Sequence, residues 1–237
     1  MKHRRAFILL SGGLDSTTAL YIAMNEAHWS GSVEGVSIDY GQRHKKEIEY
    51  AARICAGLNI RHSVLKMPDL LADSMLTDGS VNIPNVTYDQ IKGMSPTYVP
   101  FRNGLMLSML AAHAQKWTMD KDENEVLEAG IYFGAHAEDA ANWAYPDCTP
   151  EFIGAMANAI FIGSYQSVRL YAPLMHMVKT DIVLLGQGLR VPFVNTWSCY
   201  AGGELHCGSC PTCHARHQAF KAAGIVDPTP YATQPKA

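Results

Sequence analysis

A short apolar run, Ala6-Phe7-Ile8-Leu9-Leu10, stops at Ser11-Gly12-Gly13, and Asp15-Ser16-Thr17-Thr18 follows at once. Beyond it Ala19, Leu20, Ile22, Ala23 and Met24 continue at helical spacing. Periodicity alone does not separate strand from helix over 5–10, but shortness and the glycines favour a buried parallel strand. Asp, Ser and Thr start helices because their side chains satisfy the free N–H groups of a first turn. Strand, tight glycine turn and helix open a βαβ unit, which commits the chain to parallel strands covered by helices.

The pattern repeats. Residues 33–39 read as a strand, 45–58 as a helix with Ile48, Ala51, Ala52 and Cys55 on one face, and 60–65 as a third strand. Residues 77–100 carry Gly, Pro, Asn and Asp with little periodicity, a long loop of the kind usually kept for function. A helix over 105–116, a strand over 126–134, a helix over 151–162, a strand over 167–171 and a helix over 181–189 complete the alternation. The expected fold class is α/β, a doubly wound parallel sheet with helices on both faces. Residues 1–195 would form one α/β domain and 196–237 a cysteine-rich C-terminal segment.

Composition narrows the function classes. None of the apolar runs in the 237 residues approaches the roughly 20 that span a membrane. The basic start Met1-Lys2-His3-Arg4-Arg5 leads into too few apolar residues for a signal peptide, so the expectation is a cytoplasmic protein. Net charge is −3, unlike the cationic footprint of a nucleic-acid binder, which makes small molecules the expected partners.

Two segments carry chemistry on their residue types alone. Ser11-Gly12-Gly13-Leu14-Asp15-Ser16-Thr17 lies where a strand hands over to a helix N-terminus, a position where backbone N–H groups and the helix dipole favour phosphate. It lacks the Gly-Lys-Ser/Thr ending of a Walker A loop and is not a GxGxxG turn. Cys199, Cys207, Cys210 and Cys213 follow the spacing C-x7-C-x2-C-x2-C, while Cys55 and Cys148 stand apart. Four thiolates make a closed tetrahedral zinc site. A ferredoxin-type iron–sulfur run, the competing metal, would want a further Cys three residues on and then Pro, where this chain continues Cys213-His214. His206, His214 and His217 lie near enough to substitute as ligands, but four cysteines already satisfy the metal.

Ser-Gly-Gly-x-Asp-Ser resembles the PP-loop of the N-type ATP pyrophosphatases, adenine nucleotide alpha hydrolase-like proteins that split ATP between the α and β phosphates. Within that resemblance Leu10, Ser11, Gly12, Gly13, Leu14, Asp15, Ser16 and Thr17 would bind ATP, and Asp15 would help hold Mg²⁺. Further segments follow strand ends or open helices at the sheet edge where such folds bind ligands: Asp39-Tyr40-Gly41-Gln42-Arg43-His44, Val99-Pro100-Phe101-Arg102-Asn103 and Tyr145-Pro146-Asp147-Cys148. Together with Thr196-Trp197-Ser198-Cys199-Tyr200 and the cysteine quartet they resemble the 7-cyano-7-deazaguanine synthase family, from about Phe7 to Tyr231.

The resemblance implies an ATP-dependent carbon–nitrogen ligase. It would turn 7-carboxy-7-deazaguanine and ammonia into the nitrile through an adenylated carboxylate and an amide, with Mg²⁺ and Zn²⁺, as a homodimer. Asp15, Ser16, Arg102 and Lys179 would be catalytic. Lys179 either neutralises phosphate or is a solvated helix-start lysine. Tyr40, Gln42, Arg43, Arg102, Asn103, Glu138 and Asp147 would bind substrate, Asp139 accompanying Glu138; His44 is either a proton carrier or structural. Leu14, Phe101 and Ala144 depart from the family's usual Gln, Gly and Gly; the last two are expected to adjoin the substrate wall. The alternatives are an enzyme that stops at the amide or joins the acid to a macromolecular amine, and a zinc-dependent nucleic-acid-binding module on an inactive nucleotide domain.

Overall fold

The computed structural model describes residues 3–29, 32–42, 45–68, 71, 93–95, 97–119 and 127–235. Five strands form one parallel sheet in the order β3-β2-β1-β4-β5: β1 His3–Leu9, β2 Val33–Asp39, β3 Arg61–Lys66, β4 Leu127–Tyr132 and β5 Val168–Tyr171. The helices are α1 Leu14–Asn25, α2 Lys46–Gly57, α3 Arg102–Met119, a single turn α4 Ala137–Ala140, α5 Pro150–Gly163, α6 Lys179–Gly188 and α7 Pro211–Ala222.

Successive strand residues face opposite sides, and β1 shows why two layers of helices are needed. Phe7 and Leu9 enter an apolar cluster with Leu107 and Leu110 of α3 and Ile153 and Ile160 of α5. Ala6, Ile8 and Leu10 enter a second cluster with Leu20 of α1 and Ala51 and Ile54 of α2. A strand apolar on both sides is stable only when both are covered, each large buried side chain contributing about 1.5–3 kcal/mol. The doubly wound sheet read from the sequence is the one observed.

A third cluster joins Leu14 and Ala19 of α1, Ile182 and Val183 of α6, and Ala219 and Phe220 of α7. Helix α7 is an element the sequence reading did not anticipate, although Pro211 at its first turn is a helix-start signal. Most of the loop expected over 77–100 lies outside the described residues, as do Arg43 and His44. Among the described residues no helix is long and apolar enough to cross a membrane.

The chain runs outward through β1, β2 and β3, then returns to place β4 beside β1. The helices that follow β1 and β4 therefore diverge to opposite sides, and a crevice opens at the C-terminal ends of these strands.

Candidate active site

The crevice holds a cavity of about 240 Å³, and its floor is the turn between β1 and α1. Gly12 adopts φ +74°, and a Cβ there would stand 2.7 Å from the Ala51 backbone nitrogen and 2.8 Å from the Glu47 carbonyl oxygen. Only glycine lets the turn lie this close to the backbone of α2. Gly13 is the N-cap of α1. The Ser11 N–H donates to Ser16 Oγ at 3.2 Å, and the two hydroxyls are 3.0 Å apart, tying the turn to the first helical turn. The Trp197 N–H donates to the Gly12 carbonyl at 2.8 Å, so the C-terminal segment seals the turn from outside.

Charge gathers at one end of the cavity. Lys179 Nζ, from the first residue of α6, lies 3.1 Å from Asp15 Oδ2, and the lysine is 8% exposed. Burial alone would lower the lysine's pKa, but Asp15, with Asp139 and Glu138 nearby, holds it above its ordinary value. Burial likewise pushes Asp15 up, and Lys179 and His136 outweigh it, keeping the carboxyl below its ordinary range. His136 Nε2 stands 3.8 Å from Asp15 Oδ2 and 3.2 Å from Asp139 Oδ2. Glu138 accepts the Lys179 backbone N–H at 3.1 Å and so aims the start of α6. Asp15 Oδ1 is buried without a hydrogen-bond partner among the described residues.

At the other end stands Arg102, the first residue of α3. Its Nη1 donates to the Tyr40 hydroxyl at 3.2 Å, and its guanidinium lies over the Tyr40 ring at 5.4 Å. Asn103 donates its backbone N–H to Asp147 Oδ2 at 3.0 Å and its side-chain amide to Cys148 Sγ at 3.2 Å. Burial pushes the Cys148 thiol well up, which suits a packing group rather than a nucleophile. Gln42 accepts the Tyr40 N–H at 2.9 Å and donates to the Ile38 carbonyl at 3.2 Å, closing the turn after β2. Glu47 completes this wall.

Leu10, Ser11, Gly13, Asp15, Ser16, Tyr40, Gln42, Arg102, Asn103 and Lys179 all line the cavity. Gly12 and Thr17 support it from behind, and Leu14 points into the cluster between α1, α6 and α7. Glu138 and Asp147 act on Lys179 and Asn103 and do not form the wall themselves. Phe101 and Ala144, expected to adjoin the substrate wall, do not themselves line the cavity, although Phe101 directly precedes the lining Arg102. Phe101 sits at φ +55° and packs edge-on to Phe152 at 5.7 Å, and Ala144 is buried in the core. The left-handed φ at 101 accounts for the glycine usual at that position. Sequence reading missed His136, Glu47 and Thr212. The signal for Glu47 was its place on the cavity-facing side of the first turn of α2, which becomes visible only once α2 is docked.

The four cysteines converge beside the cavity, their Sγ atoms all within 4.8 Å of one another. Sulfurs around a tetrahedral zinc at ~2.3 Å would be about 3.8 Å apart, and Cys207 and Cys213 are 3.9 Å apart. N–H groups of Ala201 and Cys207 donate to Cys199 Sγ at 3.3 Å, and those of Ser209 and Cys210 to Cys207 Sγ at 3.4 and 3.3 Å. Donors aimed at sulfur stabilise thiolates, so the quartet fits a cation.

Residues 5–224 match the family model described as queuosine biosynthesis protein QueC. The chain is 40% identical over 229 residues to the 7-cyano-7-deazaguanine synthase of Caldicellulosiruptor bescii, covering 96% of this chain and 97% of that protein. It is 39% identical over 231 residues to the same-named protein of Marinomonas sp. (strain MWYL1), covering 96% and 98%. A third relative of that name, from Methanoregula boonei, is 39% identical over 230 residues, covering 96% and 99%. With a glycine turn, a lysine–aspartate pair and an arginine meeting in one crevice of a parallel sheet, and with that identity over nearly the whole length, the chain belongs to the QueC family of queuosine biosynthesis proteins.

Proposed function

We propose that this protein converts 7-carboxy-7-deazaguanine to 7-cyano-7-deazaguanine, using ATP to activate first the acid and then the amide, with free ammonia as nitrogen donor. The observation that carries this reading is the two-ended cavity: a phosphate-cradling turn with Asp15 and Lys179 at one end, and Arg102 with an amide-bearing helix start at the other.

A carboxylate is a poor electrophile, and transfer of AMP to it creates a good leaving group. The backbone N–H groups around Ser11–Gly13, with the Ser11 and Ser16 hydroxyls, hold the departing pyrophosphate. Lys179 neutralises charge on the phosphates, and Arg102 orients the carboxylate toward the α phosphorus; this is positioning and electrostatic stabilisation. Tyr40, Gln42 and Asn103 frame the deazaguanine ring, with Asp147 fixing Asn103 through its backbone N–H, and Arg43 is a further substrate contact in this reading. Asp15 Oδ1, buried and unpartnered, is a fitting ligand for Mg²⁺, which would screen the pyrophosphate. A zinc ion held by Cys199, Cys207, Cys210 and Cys213 would supply no chemistry and would close the segment 196–237 over the crevice. In this reading the protein acts in the cytoplasm as a homodimer, which sedimentation velocity checks.

Incubation with ATP, Mg²⁺, ammonia and the acid should yield a product of the nitrile's mass, with AMP and pyrophosphate. ADP and phosphate alone would sink the adenylation mechanism. An amide that accumulates without going on to nitrile, or a conjugate to a macromolecular amine, would overturn the second activation.

A further inference from the structure

Glu47 has no part in the steps above, yet it stands where the two ends of the cavity meet. It lies in the first turn of α2, whose backbone is braced against Gly12 of the phosphate turn. Its side chain lines the cavity on the Arg102 side and feels that guanidinium's charge. Among the described residues no ion pair holds its carboxylate. A carboxylate activated by ATP must place its carbon between phosphate cradle and arginine, and that is the neighbourhood of Glu47.

We propose that Glu47 is the general base that takes the proton from the attacking nitrogen when ammonia displaces AMP. This rests on the reading of the substrate given above. The nitrogen lone pair forms the C–N bond, and the bond from the carboxyl carbon to the AMP oxygen breaks with its electron pair going to AMP. The Glu47 carboxylate takes one N–H proton, which leaves a neutral amide and a protonated Glu47 that returns the proton to solvent when product departs. The groups around Glu47 suit this task. Arg102 from α3 favours the carboxylate, and the Tyr40 hydroxyl after β2 is occupied by Arg102. Tyr200 of the C-terminal segment also acts on Arg102, and Asp15 and Lys179 neutralise each other at the far end. Burial pushes the Glu47 carboxyl up to about 7 against the pull of Arg102. A base is most effective when its pKa lies near the working pH.

The test separates adenylation from amine attack. Glu47→Gln keeps size and removes basicity, and Glu47→Asp keeps the carboxylate; thermal unfolding checks that both fold. Acid-dependent exchange of labelled pyrophosphate into ATP, measured without ammonia, should stay within about threefold of the unsubstituted enzyme in Glu47→Gln. Product formation with ammonia should fall about 100-fold, the contribution of a positioned base. The acidic limb of its pH profile near 7 should vanish, and Glu47→Asp should restore part of the rate. Exchange that falls in step with turnover, or turnover that is unchanged, overturns the assignment. Absence of acid-dependent exchange in the unsubstituted enzyme is a different result: it overturns the substrate reading, and the role of Glu47 falls with it.

Discussion

Asp15 and Lys179 hold each other in their charged forms at a site where either alone would be expensive to bury. Asp15→Asn keeps the shape but leaves a buried ammonium with only Asp139 and Glu138 nearby. It should abolish turnover and cost about 2–3 kcal/mol, less than a fully buried broken pair because Asp15 is partly exposed; urea unfolding reads the second quantity. Glu47 works the other way. Its folded pKa is raised to about 7 from an ordinary 4.5, so the folded state binds a proton that the unfolded state has already lost. Stability therefore falls as pH rises from 4.5 through 7. Glu47→Gln should flatten that slope and raise stability at pH 8 by on the order of 1 kcal/mol, a gain typical of removing a functional compromise. Melting curves from pH 5 to 8 check it.

Helices in this protein matter chiefly for where their first turns point. α1, α3 and α6 each begin at the crevice and deliver Asp15, Arg102 and Lys179 to it, while α2 delivers Glu47. The close approach of α2 to the glycine turn depends on Gly12. Gly12→Ala would strain a left-handed φ and drive a methyl into the backbone of α2, costing about 2–4 kcal/mol. It should also weaken ATP binding, measurable by titration calorimetry. Helix α7 acts through Arg216, 1% exposed, which donates to the Thr196 hydroxyl at 2.8 Å, the Ser198 hydroxyl at 3.1 Å and the Phe193 carbonyl at 2.8 Å. Ser198 lines the cavity, so this one guanidinium ties the helix beside the cysteine quartet to the site wall. Arg216→Met should remove these three hydrogen bonds and raise the KM for ATP more than it lowers kcat, read from steady-state kinetics.

Across the whole molecule, the C-terminal segment is tied to the rest through Trp197 on the glycine turn, Phe220 in the cluster with α1 and α6, and Lys46 of α2 on the Gly203 carbonyl, while its own tail covers Gly208, where a Cβ would collide with the Thr233 carbonyl. The cysteine quartet sits among them. If the quartet holds a metal as proposed, removing that metal should loosen residues after 196 first, because the sheet core does not depend on it. Cys210→Ser or a strong chelator should lower the melting temperature, free the C-terminal amides to exchange in deuterium-exchange mass spectrometry, and reduce activity in proportion to lost metal. One zinc per chain is the expected elemental content; iron with sulfide would refute zinc.

The alternation of short apolar runs with helical stretches, and the glycine turn after 5–10, were enough to establish a doubly wound sheet, because a strand apolar on both faces has no other stable surroundings. The cysteine spacing was equally direct in bringing four thiols together, since three of them lie within one short knuckle. The family resemblance named Asp15, Ser16, Arg102 and Lys179, and all four line the cavity. What sequence could not supply was distance. Lys179 stands 164 positions from Asp15 in the chain and 3.1 Å from it in space, and that proximity exists only because β4 returns beside β1 and sets α6 against α1. The same packing turned Glu138 into a helix anchor and brought Glu47 and His136 into the cavity wall or against it. Periodicity and spacing are properties of neighbours along the chain; burial, and with it the charge of a buried carboxyl, belongs to neighbours that only the folded sheet creates.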